Sequence, residues 1–156
     1  IEVISFYKYR DIKDLLHTKH TDLGYYIYTI LAKNSFKKFA QEFDYPDTLS
    51  SVAIDDTIHS GYAHTAILNN ALKSKNIKPY CNKLRAENSI SYSGKSKEFR
   101  LLNPRNFKMN DFEGENVILV DDIITTGSTL SQAISCMKAN KKEVLFCLTL
   151  ADARVT

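Results

Sequence analysis

The sequence predicts one α/β domain, an open, mostly parallel sheet flanked by helices. Three observations carry this. Short continuous apolar runs at residues 51–54, 117–120 and 144–150 suit strands buried on both faces. Segments with helical apolar spacing lie between them. Two of the runs end in adjacent carboxylates, Asp55-Asp56 and Asp121-Asp122, and ligands of such sheets sit at the carboxyl ends of strands. The order strand, helix, strand, loop, strand, helix, strand then implies right-handed crossovers.

Taken in order, residues 1–9 are β-branched and aromatic and read as a strand. Ile12, Leu15 and Leu16 mark a short helical turn. Asp22 is placed to cap a longer helix that shows Leu23, Ile27, Ile30 and Leu31 on one face. Phe36, Phe39, Ala40 and Phe43 continue an apolar stripe after a break at Asn34-Ser35, as core packing. Residues 44–50, with Pro46, read as a turn. The strand at 51–54 runs into a loop, 55–61. A helix follows with Ala63, Ala66, Ile67 and Ala71 on one side and Leu68 and Leu72 beside them. Residues 79–85 read as a third strand.

Residues 86–115 are polar and irregular, carrying Asn88-Ser89, residues 91–97, Arg100, Arg105 and Asn106. A loop this long inside a compact domain is a lid or binding loop. After the strand at 117–120, Leu130, Ala133, Ile134 and Met137 fall at i, i+3, i+4 and i+7 of a helix. Thr129 and Gln132 have the spacing of a capping box.

The chain has 156 residues, enough for a single domain, 1–156, with its own core. A net charge of +3 is too small to argue for nucleic acid by itself. No apolar run has the length of a membrane span and no signal peptide is visible, so no membrane is expected. Cys81, Cys136 and Cys147 are odd in number and widely spaced; they read as small buried hydrophobes of a reducing cytoplasm. The chain opens on Ile1, not Met, so the native N-terminus is expected to be missing or removed.

The chemistry concentrates at residues 116–132. Behind the strand come Asp121 and Asp122, then Thr125-Thr126-Gly127-Ser128-Thr129 and a helix N-terminus. Loop and helix start offer N–H groups and a partial positive charge, which suit a phosphate. Gly127 permits close backbone approach, and Thr125, Thr126, Ser128 and Thr129 supply hydroxyl donors. The carboxylates accept from sugar hydroxyls or hold Mg²⁺, directly or through water. A ribose 5-phosphate fits both halves. A Walker loop is excluded, since no Gly-Lys-Ser/Thr follows four residues after a glycine.

Residues 117–129, Val-Ile-Leu-Val-Asp-Asp-Ile-Ile-Thr-Thr-Gly-Ser-Thr, resemble the phosphoribosyl pyrophosphate (PRPP) motif of type I phosphoribosyltransferases without departure. Over roughly 50–152 the chain is also similar to the ComF (competence protein F) family of phosphoribosyltransferase-like proteins. Leu84-Arg85 with Asn88 and Ser93-Gly94-Lys95, and Arg100 with Asn103 and Phe107, match that family's spaced patterns; Gly61-Tyr62 and Leu68 match its helix start. The resemblance implies a type I phosphoribosyltransferase-like fold with its core at 50–152 and a hood-like segment at 1–45. It implies a 5-phosphate site at 125–129 and catalytic or Mg²⁺-binding acids at Asp121 and Asp122. It implies a pyrophosphate loop with Asp55, Asp56, Ser60 and Gly61, a flexible loop with Lys95, Lys97 and Arg100, and a homodimer. Arg85 is a further candidate.

The chain departs from the ComF pattern in Asp55-Asp56-Thr57 for Pro-Val-Pro, in Ser60 for an arginine, and in Ala63-His64 for Asn-Gln. The family's four-cysteine zinc segment is absent from the sequence. His59 and His64 read as solvated or capping residues, not ligands. The implied function is transfer of a phosphoribosyl group to an unnamed acceptor with release of pyrophosphate, linked to DNA uptake. The alternatives are a non-catalytic PRPP or nucleotide sensor and a DNA-binding competence factor.

Overall fold

Strand β6 (Asn116–Ile124) is the middle of the molecule. Numbered in chain order, its parallel neighbours are β2 (Leu49–Ala53) and β7 (Glu143–Asp152). The edges are β3 (Ile77–Tyr80) beside β2 and β1 (Glu2–Lys8) beside β7. The order is β1-β7-β6-β2-β3 and every pairing is parallel. This is the open sheet flanked by helices that the sequence predicts. The computed structural model describes residues 1–87, 94–102 and 104–154. Expectations at Asn88, Ser89, Ser91, Tyr92, Ser93 and Asn103, and at the Arg100 side chain, lie outside the described residues.

A strand with two covered faces needs apolar side chains at odd and even positions alike. Val117 and Leu119 enter one core with Leu130, Ala133 and Met137 of α6 (Ser128–Ala139). Ile118 and Val120 enter the other. That second core is covered by α1 (Tyr9–Leu16), α2 (Asp22–Lys33), α3 (Phe36–Glu42) and α4 (His64–Asn70). A separate antiparallel ribbon, β4 (Leu84–Ala86) with β5 (Phe107–Met109), adds Leu84 to the α6 side, where Phe107 and Met109 pack against it. No described helix is long and apolar enough to cross a membrane.

Several elements differ from expectation, each for a local reason. Strand β6 does not stop at Val120; it carries both acids and ends at Ile124, because β7 pairs alongside as far as Asp152. Residues 79–85 are not one strand. Pro79 lies in β3, where an edge tolerates its missing N–H, and Asn82 takes a positive φ of 58° that turns the chain into β4. The long loop holds α5 (Lys97–Leu102) and β5. Cys81 is exposed, whereas Cys147 is buried.

Helix α2 is capped by Thr21, whose Oγ1 accepts the Gly24 N–H at 3.1 Å, not by Asp22. Its buried face is Gly24, Tyr28, Leu31 and Ala32, while Leu23 and Ile30 are exposed. The segment is apolar all round, so periodicity alone cannot choose the face. In α4 the buried residues are Thr65, Leu68 and Asn69, with Leu72 just beyond. Asn69 is inside because its amide donates to the Ser51 and Tyr80 carbonyls at 3.4 and 3.1 Å, tying β2 to β3. Phe36 and Ala40 are buried, and Phe39 and Phe43 pack against that core, as expected.

Gly24 has a tertiary role. A Cβ there would overlap the Thr18 carbonyl oxygen and the Tyr62 hydroxyl. Glycine to alanine inside a helix normally gains about 1 kcal/mol. Here the backbone of the preceding turn must move, so Gly24→Ala is expected to lose about 1–3 kcal/mol in urea unfolding. A gain would show that the turn yields freely.

Candidate functional site

Strands β2 and β6 are neighbours, yet their connections leave in opposite directions, β2 through α4 to β3 and β6 through α6 to β7. Loops that part in this way open a cleft at the carboxyl ends of the two strands. A cavity of about 520 Å³ lies there. Asp55, Thr57, His59 and His64 line it from the β2 side, and Asp121, Asp122, Thr125 and Thr129 from the β6 side. Lys19 and His20 reach it from the turn after α1, and Arg105 and Phe107 from the ribbon side.

Both acids are buried, and their surroundings divide them. Asp122 Oδ2 accepts from Lys19 Nζ at 3.1 Å and lies 3.2 Å from His64 Nε2; its Oδ1 accepts the Ile123 N–H at 2.8 Å. Burial alone would raise the Asp122 carboxyl, but the Lys19 ammonium, with His64, overrides it and holds the group well below the usual carboxylate range. The same carboxylate raises Lys19 against the opposing effect of burial. Asp121 makes no ion pair among the described residues, and the lowering by Lys19 is the weakest of the effects on it. Burial, then the Asp122 charge beside it, push it well above its ordinary value, although its Oδ1 accepts the Asp122 N–H at 2.8 Å. The floor of the cavity is one carboxylate neutralised by one ammonium, with a second carboxyl biased toward its protonated form.

This arrangement does not fit direct Mg²⁺ coordination by the pair. Mg²⁺ demands an octahedron of oxygens at close range, and an ammonium and an imidazole already converge on Asp122 Oδ2. Among the described residues, no group of three or more His, Cys, Asp or Glu side chains is placed to hold a metal.

After Ile124 the chain turns at 125–127 into α6. Gly127 has φ 82°, which favours glycine, and is the N-cap. The space over its Cα is open, with nothing within 4 Å of a built Cβ. The capping box does not form. Gln132 donates instead to Ser128 Oγ at 3.1 Å and accepts the Arg105 N–H at 2.7 Å, fastening the ribbon side to α6. Thr125 and Thr129 line the cavity; Thr126, Gly127 and Ser128 do not, and Thr126 Oγ1 accepts the Ser128 N–H at 3.3 Å.

In the 55–61 segment only part of the expected set faces the cavity. Asp55 does, with φ 53° and its Oδ1 accepting from Thr57 at 2.5 Å. Asp56 is buried outside the cavity lining and accepts the Asn82 N–H at 2.8 Å, a structural task. Ser60 and Gly61, both at positive φ, form a tight turn closed by the His59 N–H donating to the Tyr62 carbonyl at 2.9 Å. Neither lines the cavity, nor do Arg85, Lys95 and Lys97. Lys95 lies over the Phe99 ring at 5.2 Å.

His64 is neither solvated nor a cap. It starts α4, its side chain is 15% exposed, and its ring packs on Tyr28 and His20. His59 lines the cavity and packs on His20. Burial, then His64, His59 and Lys19, lower the His20 pKa. Sequence reasoning missed Lys19, His20 and Arg105. No motif marks Lys19 or His20, which lie about 100 residues from the acids in sequence. The Thr18-Lys19-His20-Thr21 turn between two apolar segments was the available signal.

Residues 86–156 match the model of the phosphoribosyl transferase domain. That span holds the acid pair and the 125–129 loop, and excludes Lys19, His64 and the 55–61 segment. A comparison with curated proteins finds no match. Among solved structures, the chain is similar to the UMP synthase of Leishmania donovani, at 15% identity and a TM-score of 0.46, over 81% of this chain and 22% of that one. It is similar to a hypoxanthine phosphoribosyltransferase from Staphylococcus aureus, at 14% identity and TM-score 0.47, over 83% of this chain and 67% of that one. It is similar to the hypoxanthine phosphoribosyltransferase of Trypanosoma cruzi, at 16% identity and TM-score 0.43, over 97% of this chain and 75% of that one. The chain thus spans 22% of the length of the first of these proteins.

The two acids should respond oppositely to neutralisation. Asp121 is raised on folding, so ionising it costs stability as pH rises above about 4. Asp121→Asn removes that cost and is expected to gain on the order of 1 kcal/mol at pH 7, with the advantage opening above about pH 4. Asp122 is lowered on folding, so its contribution is full above about pH 4 and is lost as pH falls further. Asp122→Asn also strands Lys19 and should cost about 1–3 kcal/mol at pH 7, below the figure for a fully buried pair because Lys19 is 34% exposed. Urea unfolding between pH 3 and 8 measures both; equal effects of the two variants would refute the division of roles.

Proposed function

We propose that this chain is a phosphoribosyltransferase-like protein of the ComF kind that binds PRPP or another ribose 5-phosphate compound in the cavity between β2 and β6. One observation carries the reading: Asp121 and Asp122 share that cavity with Thr125 and Thr129, so a diol grip and a phosphate loop face the same space. The 5-phosphate lies at the Thr125 to Thr129 turn, where the start of α6 favours an anion. The ribose hydroxyls donate to Asp122 and exchange hydrogen bonds with Asp121, which burial and the Asp122 charge shift toward its neutral form. The domain match over 86–156 supports a phosphoribosyltransferase-like role for the half that carries these groups.

If transfer occurs, C1 becomes cationic as pyrophosphate leaves, and the Asp122 carboxylate can stabilise that charge only in part, because Lys19 already offsets it. Asp55 and Thr57 face the leaving group. In this reading the acid pair would not hold Mg²⁺; a metal bound to the pyrophosphate itself would supply neutralisation of its charge. The N-terminal segment supplies an edge strand and three helices over one core and, through Lys19 and His20, one wall of the cavity; that wall is what supports reading it as the hood. Linkage to DNA uptake and pairing as a homodimer follow from the ComF resemblance and belong to this proposal.

Titration calorimetry with PRPP tests the site. Thr129→Val should weaken binding about tenfold, and Asp121→Asn with Asp122→Asn should abolish it. Unchanged binding by the double variant removes the assignment.

The 55–61 segment favours binding without fast chemistry. It carries Asp55 where an arginine-bearing anion loop would serve, Lys19 is committed to Asp122, and His20 is held toward its neutral form. Pyrophosphate gains charge on leaving, so the absence of Lys and Arg from the 55–61 segment penalises the transition state more than the ground state. Turnover with common purine and pyrimidine bases is expected to fall about 100-fold or more below an ordinary rate of about 10 s⁻¹. A pyrophosphate-release assay across those bases checks it; ordinary turnover would mean that Asp55 and Thr57 handle the leaving group by another route.

A further inference from the structure

Lys19 is held by more than its own ion pair. The end of α1 is wound by the Thr18 and Lys19 N–H groups donating to Leu15 and Leu16 at 3.2 Å each. His20 then takes a left-handed φ of 69°, and the Thr21 N–H donates to the Thr18 carbonyl at 3.1 Å. The next helix presses Gly24 against that same carbonyl, and the Tyr62 hydroxyl donates to Thr21 at 2.8 Å. A surface lysine needs none of this. A rigid turn delivers the ammonium to Asp122, 103 residues away.

We propose that Lys19 is the resident cation of this cavity, doing at the Asp121 and Asp122 pair what a divalent metal does beside paired carboxylates. The ammonium cancels the Asp122 charge, and with it the repulsion which that carboxylate would exert on a phosphorylated sugar. It also blocks a metal from the pair, because a dication at Asp122 would sit against a fixed positive charge. A ribose 5-phosphate compound therefore binds with no divalent ion. This ligand clause rests on the function proposed above; the exclusion of metal does not.

The test has two arms, each on the folded full chain of the parent, Lys19→Met and Lys19→Arg. In the first, Mn²⁺ is titrated into ligand-free protein and followed by electron paramagnetic resonance. Lys19→Met is expected to bind Mn²⁺ at least tenfold more tightly than the parent, with Lys19→Arg behaving as the parent. Equal Mn²⁺ affinity in parent and Lys19→Met overturns the proposal. In the second, ribose 5-phosphate is titrated in EDTA and in Mg²⁺. This ligand lacks pyrophosphate, so no metal enters on it. The parent should bind alike in both, within about twofold, and Lys19→Met should bind at least tenfold more weakly in EDTA and recover in Mg²⁺. A parent that needs Mg²⁺ overturns the proposal. Failure of ribose 5-phosphate to bind any variant counts against the phosphate reading alone, since the Mn²⁺ arm is decided without it.

Discussion

Two adjacent carboxylates at the buried end of a strand cannot both keep their charge without a cation beside them. In this chain Lys19 keeps Asp122 ionised while Asp121 is shifted toward its neutral form, and much of the N-terminal third follows from that. The ammonium must come from outside the sheet, because β6 is covered on both faces and its neighbours bring no basic side chain to the pair. The turn after α1 brings it, and Thr21 as cap, Gly24 as contact point and Tyr62 as tie fix that turn. Packing that looks remote from the cavity is what sets the charge of its floor.

Stability and site chemistry pull against one another at the same strand. Residues 117–120 contribute four fully buried side chains to two cores, worth about 1.5–3 kcal/mol each on burial. The next two positions spend part of that gain. Asp121 is buried without a cation of its own, and across the cleft Asp55 sits at a positive φ that costs a non-glycine residue about 1–2 kcal/mol. Such costs persist only where surrounding structure over-determines them. Here the parallel neighbours β2 and β7 do so, and α6 and α4 clamp the two loops from opposite faces.

What could be read in advance was what lies close in sequence. The run at 117–129 announces strand, acids, loop and helix in one stretch, because every contact in that unit spans a few residues. The face of α6 was legible for the same reason: Leu130, Ala133 and Met137 are buried as spaced. The face of α2 was not, since Leu23 and Ile30 are as apolar as the buried Leu31, and only packing chooses among them. Asp56 and Asp55 are adjacent and identical in type, yet one serves the Asn82 N–H and the other faces the cavity. The bend at Asn82, which only the three-dimensional path of the chain reveals, decides that. Lys19 was missed, and His64 read as solvated or capping, because their partner is far off in sequence, and a lysine between a threonine and a histidine carries no signature.

The departures at the 55–61 segment and the presence of Lys19 describe one electrostatic choice. A pocket that accepts anionic ligands beside two acids has to place positive charge somewhere. A mobile arginine at the leaving-group end would help most when charge develops there. A fixed ammonium at Asp122 favours a bound sugar phosphate before reaction, but it offsets the carboxylate that would favour a cationic C1 during it. Ser60 sits in a tight turn outside the cavity lining, and no basic residue of the 55–61 segment stands in for it. In the function proposed above, the Lys19 charge lies at the sugar end of the cavity, and the 55–61 segment brings no Lys or Arg to the pyrophosphate end. On that proposal, charge placed there strengthens holding of a sugar phosphate more than it assists departure of pyrophosphate.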